Sequence, residues 1–157
     1  MMPADRVNKV PLAALNETIG EQLGWPQVTT QVAGVYWALP EAERPHAAIL
    51  TSDFALAGAI DRYGPALGVP RAYSGHNSYH DWGSPPDYAD VVITIGLTAV
   101  QAGQWFATCA SQGRIDNGLG VNNRTQGQPM MVCRSPREPW STLWPRLRAT
   151  STEIKDY

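Results

Sequence analysis

The sequence lacks the features that mark several common classes of protein. No apolar run approaches the roughly 18 residues that a bilayer-spanning helix needs, and the first residues lack the apolar core of a signal peptide. Twelve Lys and Arg stand against 14 Asp and Glu, without a basic stripe, which argues against nucleic-acid binding. The glycine fingerprint of dinucleotide sites is also missing. We therefore expect no membrane span, no nucleic-acid partner and no cofactor.

Cysteine is scarce, since Cys109 and Cys133 are the two in the sequence. They do not form a Cys-x-x-Cys motif, so a metal site built from cysteines is excluded. In an oxidising compartment they would form one disulfide. Two free buried thiols fit the same spacing, and both interpretations stay open at this point.

The length and composition predict one folded α/β domain. The chain has 157 residues, of which 43% are hydrophobic and 17% charged, as in globular proteins. Fourteen Gly and 13 Pro indicate short elements joined by many turns, and six Trp indicate an aromatic surface or groove. We expect residues 1–16 and 149–157 to be flexible. The doubled methionine at the start suggests a piece of a longer chain.

Short apolar runs alternate with helical patterns along the sequence. Strands are predicted at 46–51, 71–74, 90–95, 112–116 and 130–134, and helices at 25–39, 54–67, 98–108 and from 139. This order predicts a three-layer, Rossmann-like α/β fold with a mainly parallel sheet and helices on both faces. The last two strands are compatible with an antiparallel pair at one edge.

Polar and aromatic side chains follow the predicted strands. Ligands of open α/β sheets bind beyond the carboxyl ends of the strands. Hydroxyl, amide and carboxylate groups beside aromatic rings suit a sugar, whose C–H face packs on a ring. The candidate ligand-binding residues are Asp53, Ser74, His76, Asn77, Tyr79, Trp82, Asp116 and Asn117. The same residues also suit loops that are held by their own hydrogen bonds and turns.

The long loop over residues 75–89 offers two catalytic arrangements, and its sequence favours neither. His76, His80 and Asp81 offer metal ligands, but the glycines and proline around them favour a loop over a helix face. Ser74 or Ser78 with a histidine lacks the Gly-x-Ser-x-Gly elbow of hydrolases. We therefore predict no metal site and no catalytic residue in this chain.

Several short phrases together resemble a known family. They are Gly24-Trp25-Pro26, Gly58-Ala59-Ile60-Asp61-Arg62-Tyr63-Gly64, Tyr73-Ser74-Gly75-His76-Asn77-Ser78-Tyr79, Ile115-Asp116-Asn117-Gly118 and Gln126-Gly127. In this order, over about residues 17–148, the chain resembles the C-terminal soluble portion of bacterial membrane glycosyltransferases. These are the enzymes related to dolichyl-phosphate-mannose protein mannosyltransferases and to aminoarabinose transferases.

The resemblance implies an indirect role in sugar transfer. Such enzymes move a sugar from a polyprenyl-phosphate carrier to an acceptor outside the cytoplasmic membrane, and their catalytic carboxylates lie in an external loop near the start of the membrane region, no part of which is present here. The chain would be a non-catalytic extracytoplasmic domain that contacts glycan or acceptor, with the membrane-embedded catalytic portion of the same protein as its partner. That location favours a Cys109–Cys133 disulfide. Acidic residues expected from relatives are replaced by Leu56, Asn122, Arg124 and Thr125.

Two other functions remain compatible with the sequence. One is a free-standing Rossmann-like protein that binds a small molecule, either a sugar or a nucleotide, at the strand-end loops. The other is a small hydrolase that uses His76 with a nearby serine or aspartate. Both depend on the same loop chemistry and not on the family resemblance.

Overall fold

The computed structural model describes residues 24–76, 78–81, 83–116 and 126–154, with backbone alone at 78–79 and 148–154. The predicted flexible segment 1–16 lies outside these ranges. In chain order the elements are α1 Trp25–Ala38, β1 Ala47–Thr51, α2 Phe54–Tyr63, β2 Ala72–Ser74, α3 Ser78–Asp81, β3 Val91–Ile95, α4 Ala99–Trp105, β4 Phe106–Arg114, β5 Pro129–Pro136 and α5 Trp140–Ile154. Single 3₁₀ turns cover Arg44–His46 and Pro65–Leu67.

Within the described ranges the strands form one five-stranded sheet in the order β2-β1-β3-β5-β4. Strand β1 runs parallel to both β2 and β3. Strand β5 runs antiparallel to both β3 and β4. The predicted α/β class and the antiparallel pair at one edge are confirmed, while parallel pairing is confined to β2, β1 and β3.

Two predicted helices end earlier than the sequence pattern suggested. The helix predicted to reach residue 67 ends at Tyr63, because Pro65 lacks the N–H that would continue the helical hydrogen bonding, and the chain goes on as the 3₁₀ turn Pro65–Leu67. The helix predicted to reach residue 108 ends at Trp105. Strand β4 begins at the next residue and continues through Thr108 and Cys109, where pairing with β5 prevails over helical spacing.

Local capping sets where two helices begin. The Asp53 carboxylate accepts a 2.8 Å hydrogen bond from the Leu56 N–H at the start of α2, as expected of an N-cap aspartate. At α4, Thr98 and Gln101 form a reciprocal capping box. Both caps come directly after a strand of the parallel part of the sheet, so they fix how each helix leaves the sheet.

The described core consists of two hydrophobic clusters, and strands β1, β3 and β5 contribute residues to both of them. Ile49 and Ile93 pack in one cluster with residues of α1 and α2. Leu50 and Val92, their neighbours in sequence, pack in the other with residues of α4 and α5. Successive strand residues point to opposite faces, and all five residues of β3 are buried. This burial on both faces explains the continuous apolar run of β3.

Helix α5 is anchored by two tryptophans. Trp140 is fully buried, and its Nε1 donates a 2.8 Å hydrogen bond to the carbonyl of Ala89. Trp144 Nε1 donates to the carbonyl of His80 at 2.9 Å, and the two rings stack with centroids 4.9 Å apart. These contacts join α5 to the long connection between β2 and β3.

Strand β4 is an exposed edge strand held by a disulfide. Phe106 is buried, but the other eight residues of the strand are exposed. Cys109 lies directly opposite Cys133 of β5 and is joined to it by a disulfide. Cys133 is itself fully buried, so the crosslink connects the exposed edge to the core of the sheet.

We predict that the Cys109→Ala/Cys133→Ala variant loses about 2–4 kcal/mol of unfolding free energy, because the unfolded chain loses a crosslink. Urea denaturation of the wild type with and without dithiothreitol measures the effect. The reductant should lower wild-type stability and leave the double variant unchanged. Two free thiols in the untreated wild type would contradict the pairing.

A bidentate ion pair joins β5 to the turn before β1. Arg134 Nε and Nη2 donate to the two carboxylate oxygens of Glu43 at 2.8 and 3.0 Å. Hydrogen bonding from Arg134 lowers the pKa of Glu43 below its ordinary value of 4.5. A carboxylate with a lowered pKa in the folded state stabilises above its ordinary pKa, and the stabilisation is lost as the pH falls through the lowered value.

We predict that Glu43→Gln destabilises the chain by about 1 kcal/mol or less at pH 7, since the pair is partly exposed. The difference from wild type should shrink as the pH falls below 4.5, the ordinary value for Glu43. Urea denaturation at pH 7, 5 and 3 measures this, with Glu41→Gln as the exposed neighbouring control. A difference that is constant over this range would contradict a role for the carboxylate charge.

Candidate functional site

The carboxyl ends of β1, β2 and β3 meet at one edge of the sheet, which we call the carboxyl edge. Because β4 and β5 form an antiparallel pair on β3, the end of β4 and the start of β5 lie at this edge too. Ser74 is the last residue of β2, and Asp53, His76 and Asp116 each follow one of these strand ends. The predicted binding residues within the described ranges therefore lie along one edge.

Three of these residues are brought together where β1 and β2 end. The Phe54 N–H donates to Nδ1 of His76 at 3.3 Å, and the two rings are tilted with centroids 5.2 Å apart. The His76 N–H donates to Oγ of Ser74 at 3.1 Å. Asp53 immediately precedes Phe54 and caps α2. The loop after β1 and the loop after β2 are thus joined through the imidazole of His76.

The contacts of His76 and Ser74 bear on the hydrolase hypothesis. Both side chains are buried, and Ser74 Oγ accepts its described hydrogen bond from the backbone N–H of His76. A neutral imidazole that accepts at Nδ1 carries its proton on Nε2. The described contacts of Nδ1 and of Ser74 Oγ therefore hold the two loops in place and do not form the nucleophile–base pair of a triad.

Sequence analysis missed Phe54, whose side chain is 45% exposed at this edge. It follows the helix cap Asp53, and its ring leans on the buried His76. An exposed aromatic ring beside a carboxylate is a surface on which an apolar ligand face can pack. The available signal was an aromatic residue in the first turn of a helix that leaves the carboxyl end of a strand.

Gly96 lets the end of β3 approach the loop after β1. Its φ is +90°, and a Cβ there would lie 2.1 Å from Ser52 Oγ and 3.0 Å from Gln128 Oε1. The Ser52 N–H donates to the carbonyl of Ile95 at 3.0 Å. Ser52 and Gln128 thus belong to the carboxyl edge, although neither is among the candidate ligand-binding residues predicted from the sequence. A glycine directly after the clearest strand was the signal for this close approach.

Asp116 lies at the far end of the same edge. Its N–H donates to Gln31 Oε1 of α1 at 2.9 Å, and its Oδ1 accepts from Gln126 Nε2 at 3.2 Å. It follows β4, whereas His76 follows β2, and these are the two outer strands. Four inter-strand spacings of about 4.8 Å separate outer strands by about 19 Å. Asp116 and His76 therefore share an edge without forming one pocket.

Several predicted residues are not described or take a different role. Asn77, Trp82 and Asn117 lie outside the described residues, and Tyr79 is described by its backbone within α3. His80, weighed as a metal ligand, has Nε2 2.7 Å from the Trp144 carbonyl. Where the structure describes side chains, it contains no group of three His, Cys, Asp or Glu that could hold a metal.

Comparison with models of known protein families, with curated proteins and with solved structures finds no match for this chain. Within the described ranges, none of the helices combines the length and the apolar character that crossing a membrane requires.

We predict that Gly96→Ala is more destabilising than Gly113→Ala. Both glycines have φ near +90°, which costs alanine about 1–2 kcal/mol at either position. A Cβ at Gly113 meets nothing within 4 Å, whereas at Gly96 it collides with Ser52, which adds about 1–3 kcal/mol. Urea denaturation of both variants measures the difference. Equal losses would contradict the close approach of β3 to the Ser52 loop.

Proposed function

We propose that the chain is a non-catalytic extracytoplasmic domain of a polyprenyl-phosphate-sugar-dependent membrane glycosyltransferase, and that its carboxyl edge contacts glycan or acceptor. The observation that carries the binding role is the exposed Phe54 ring supported by His76 and flanked by Asp53. The assignment to a glycosyltransferase rests on the ordered sequence phrases, three of which fall on described parts of this edge.

Phe54, Asp53 and Ser52 form a surface, which we call the Phe54 surface, with the chemistry that a sugar requires. Its exposed ring offers an apolar face for the C–H groups of a pyranose. Asp53 uses Oδ1 for the helix cap, and its Oδ2 can accept from a sugar hydroxyl. The hydroxyl of Ser52, the residue before Asp53, lies close to Gly96. A small-molecule site usually combines a mostly apolar surface with a small number of polar groups.

The state of the cysteines supports the extracytoplasmic location. Cys109 lies on the exposed edge strand and is joined to Cys133. Disulfides form and persist in oxidising compartments and are rare where thiols are kept reduced. A structural disulfide is therefore in keeping with a domain that lies outside the cytoplasmic membrane.

Two features support a Rossmann-like layered arrangement. The hydrophobic clusters on alternate strand residues use α1 and α2 on one side and α4 and α5 on the other. The parallel strands β2, β1 and β3 have the connections expected of strand–helix–strand units. In such folds the carboxyl edge is where ligands bind, which agrees with the position of the Phe54 surface.

A titration with neutral sugars tests the binding role. We predict that mannose or arabinose at millimolar concentration shifts backbone amide signals of Phe54, His76 and Gly96 in ¹H–¹⁵N NMR spectra. Phe54→Ala should reduce the affinity about fivefold, because packing of a sugar face on the aromatic ring contributes on the order of 1 kcal/mol. Leu67→Ala truncates an exposed apolar side chain elsewhere and should leave the affinity unchanged.

Four results would contradict the proposal. Shifts that cluster away from the carboxyl edge, or an affinity that is equal in Phe54→Ala and Leu67→Ala, would remove the sugar-binding role. Stabilisation by a nucleotide and by none of the sugars would favour the free-standing nucleotide-binding protein. A complete reading frame without membrane spans would remove the assignment to a membrane glycosyltransferase.

A further inference from the structure

The opposite edge of the sheet, where β1, β2 and β3 begin, has a cavity of about 300 Å³. We call it the amino-edge cavity. Its lining includes three tyrosines and two arginines, which are Tyr36, Tyr73, Tyr88, Arg44 and Arg71. The sequence analysis selected none of these residues, since it considered the carboxyl ends of the strands alone.

Aromatic rings hold both guanidinium groups. The Cζ atom of Arg44 lies 4.8 Å from the centroid of the Trp37 ring, and that of Arg71 lies 4.7 Å from the Tyr73 ring. Arg44 Nε also donates to the Leu39 carbonyl at 3.4 Å. A guanidinium stacked on a ring keeps its N–H edges available for an anion. The cavity therefore presents two positioned cationic groups.

Two acidic residues near the cavity are already engaged. Glu43, which precedes Arg44, accepts both hydrogen bonds of the Arg134 fork. Asp61 lines an adjoining cavity of about 430 Å³ and accepts a 2.7 Å hydrogen bond from the Ala72 N–H. Among the described residues, the lining of the amino-edge cavity itself contains no Asp or Glu. The balance of charge on its walls is therefore positive.

We propose that the amino-edge cavity binds a phosphate monoester carried on a ring, with the phosphate at Arg44 and Arg71 and the ring against the tyrosines. A phosphate monoester carries about −1.5 to −2 charge at pH 7, which matches two arginines better than a carboxylate does. Guanidinium groups bind phosphate oxygens in a bidentate manner. Three tyrosine rings supply faces for a pyranose or an aryl ring.

The size of the cavity limits the ligand. A volume of about 300 Å³ is at the small end of ligand sites, so a monosaccharide phosphate or a simple aryl phosphate fits better than a nucleotide. This site lies at the edge opposite Phe54 and does not depend on the proposed glycan-binding role. A failure of one proposal leaves the other standing.

Calorimetric titration of the chain with glucose 1-phosphate, phenyl phosphate, glucuronate and glucose tests the site. We expect one or both phosphate esters to bind, with glucuronate at least tenfold weaker and glucose weaker still. Arg71→Gln should weaken phosphate-ester binding about tenfold or more, since charged hydrogen bonds are lost. The ester that binds with the higher affinity shows whether the tyrosines prefer a pyranose or an aryl ring.

A matched control is available on α2. The Cζ atom of Arg62 lies 5.3 Å from the Tyr63 ring, and Arg62 does not line the cavity. Arg62→Gln removes a stacked arginine of the same kind and should leave the affinity unchanged. Tyr88 is 65% exposed, so Tyr88→Ala should keep the fold and weaken binding of the esters more than binding of inorganic phosphate, which is titrated alongside them. Circular dichroism melting of each variant establishes that it is folded.

Three outcomes would overturn the proposal. The first is that neither ester binds the folded wild-type chain. The second is equal binding of glucuronate and glucose 1-phosphate, which would remove the assignment to phosphate. The third is an affinity that falls to the same extent in Arg62→Gln as in Arg71→Gln, which would reflect overall charge and not this cavity.

Discussion

Strand β3 pairs with a parallel neighbour on one side and an antiparallel neighbour on the other, and the rest of the fold depends on this position. All five of its residues are buried, and its two faces contribute to two separate hydrophobic clusters. Because β1 is parallel to β3 and β5 is antiparallel to it, the loops after β1, β3 and β4 meet at one edge. The beginnings of the parallel strands meet at the other.

This arrangement separates two surfaces of different chemistry. The carboxyl edge has the exposed Phe54 ring, supported by a buried imidazole and bordered by a carboxylate, which suits a neutral polar ligand. The amino edge has Arg44 and Arg71 stacked on aromatic rings, which suits an anion. The two surfaces lie at opposite ends of the same strands, so the two proposed ligands would bind at separate sites.

The sequence predicted the parts of the fold that depend on local pattern. The buried run of β3 and the cap Asp53 both stand where they were expected. The predicted end of helix α4 was wrong, because the pairing of β4 with β5 is a long-range contact that helical spacing does not reveal. The joining of Phe54 to His76 is likewise a contact between distant segments. The cavity at Arg71 was missed because its walls come from four separate segments of the chain.

The mixed pairing of β3 is tested most directly by nuclear Overhauser measurements on the isotopically labelled chain. The account predicts short Hα–Hα contacts at alternate facing pairs of β3 and β5, in the register that sets Ile93 opposite Val132. It predicts the amide-to-Hα pattern of parallel strands between β3 and β1, with Ile93 beside Ile49. Hα–Hα contacts between β3 and β1 would contradict the parallel pairing, and with it the gathering of Asp53 and Gly96 at one edge.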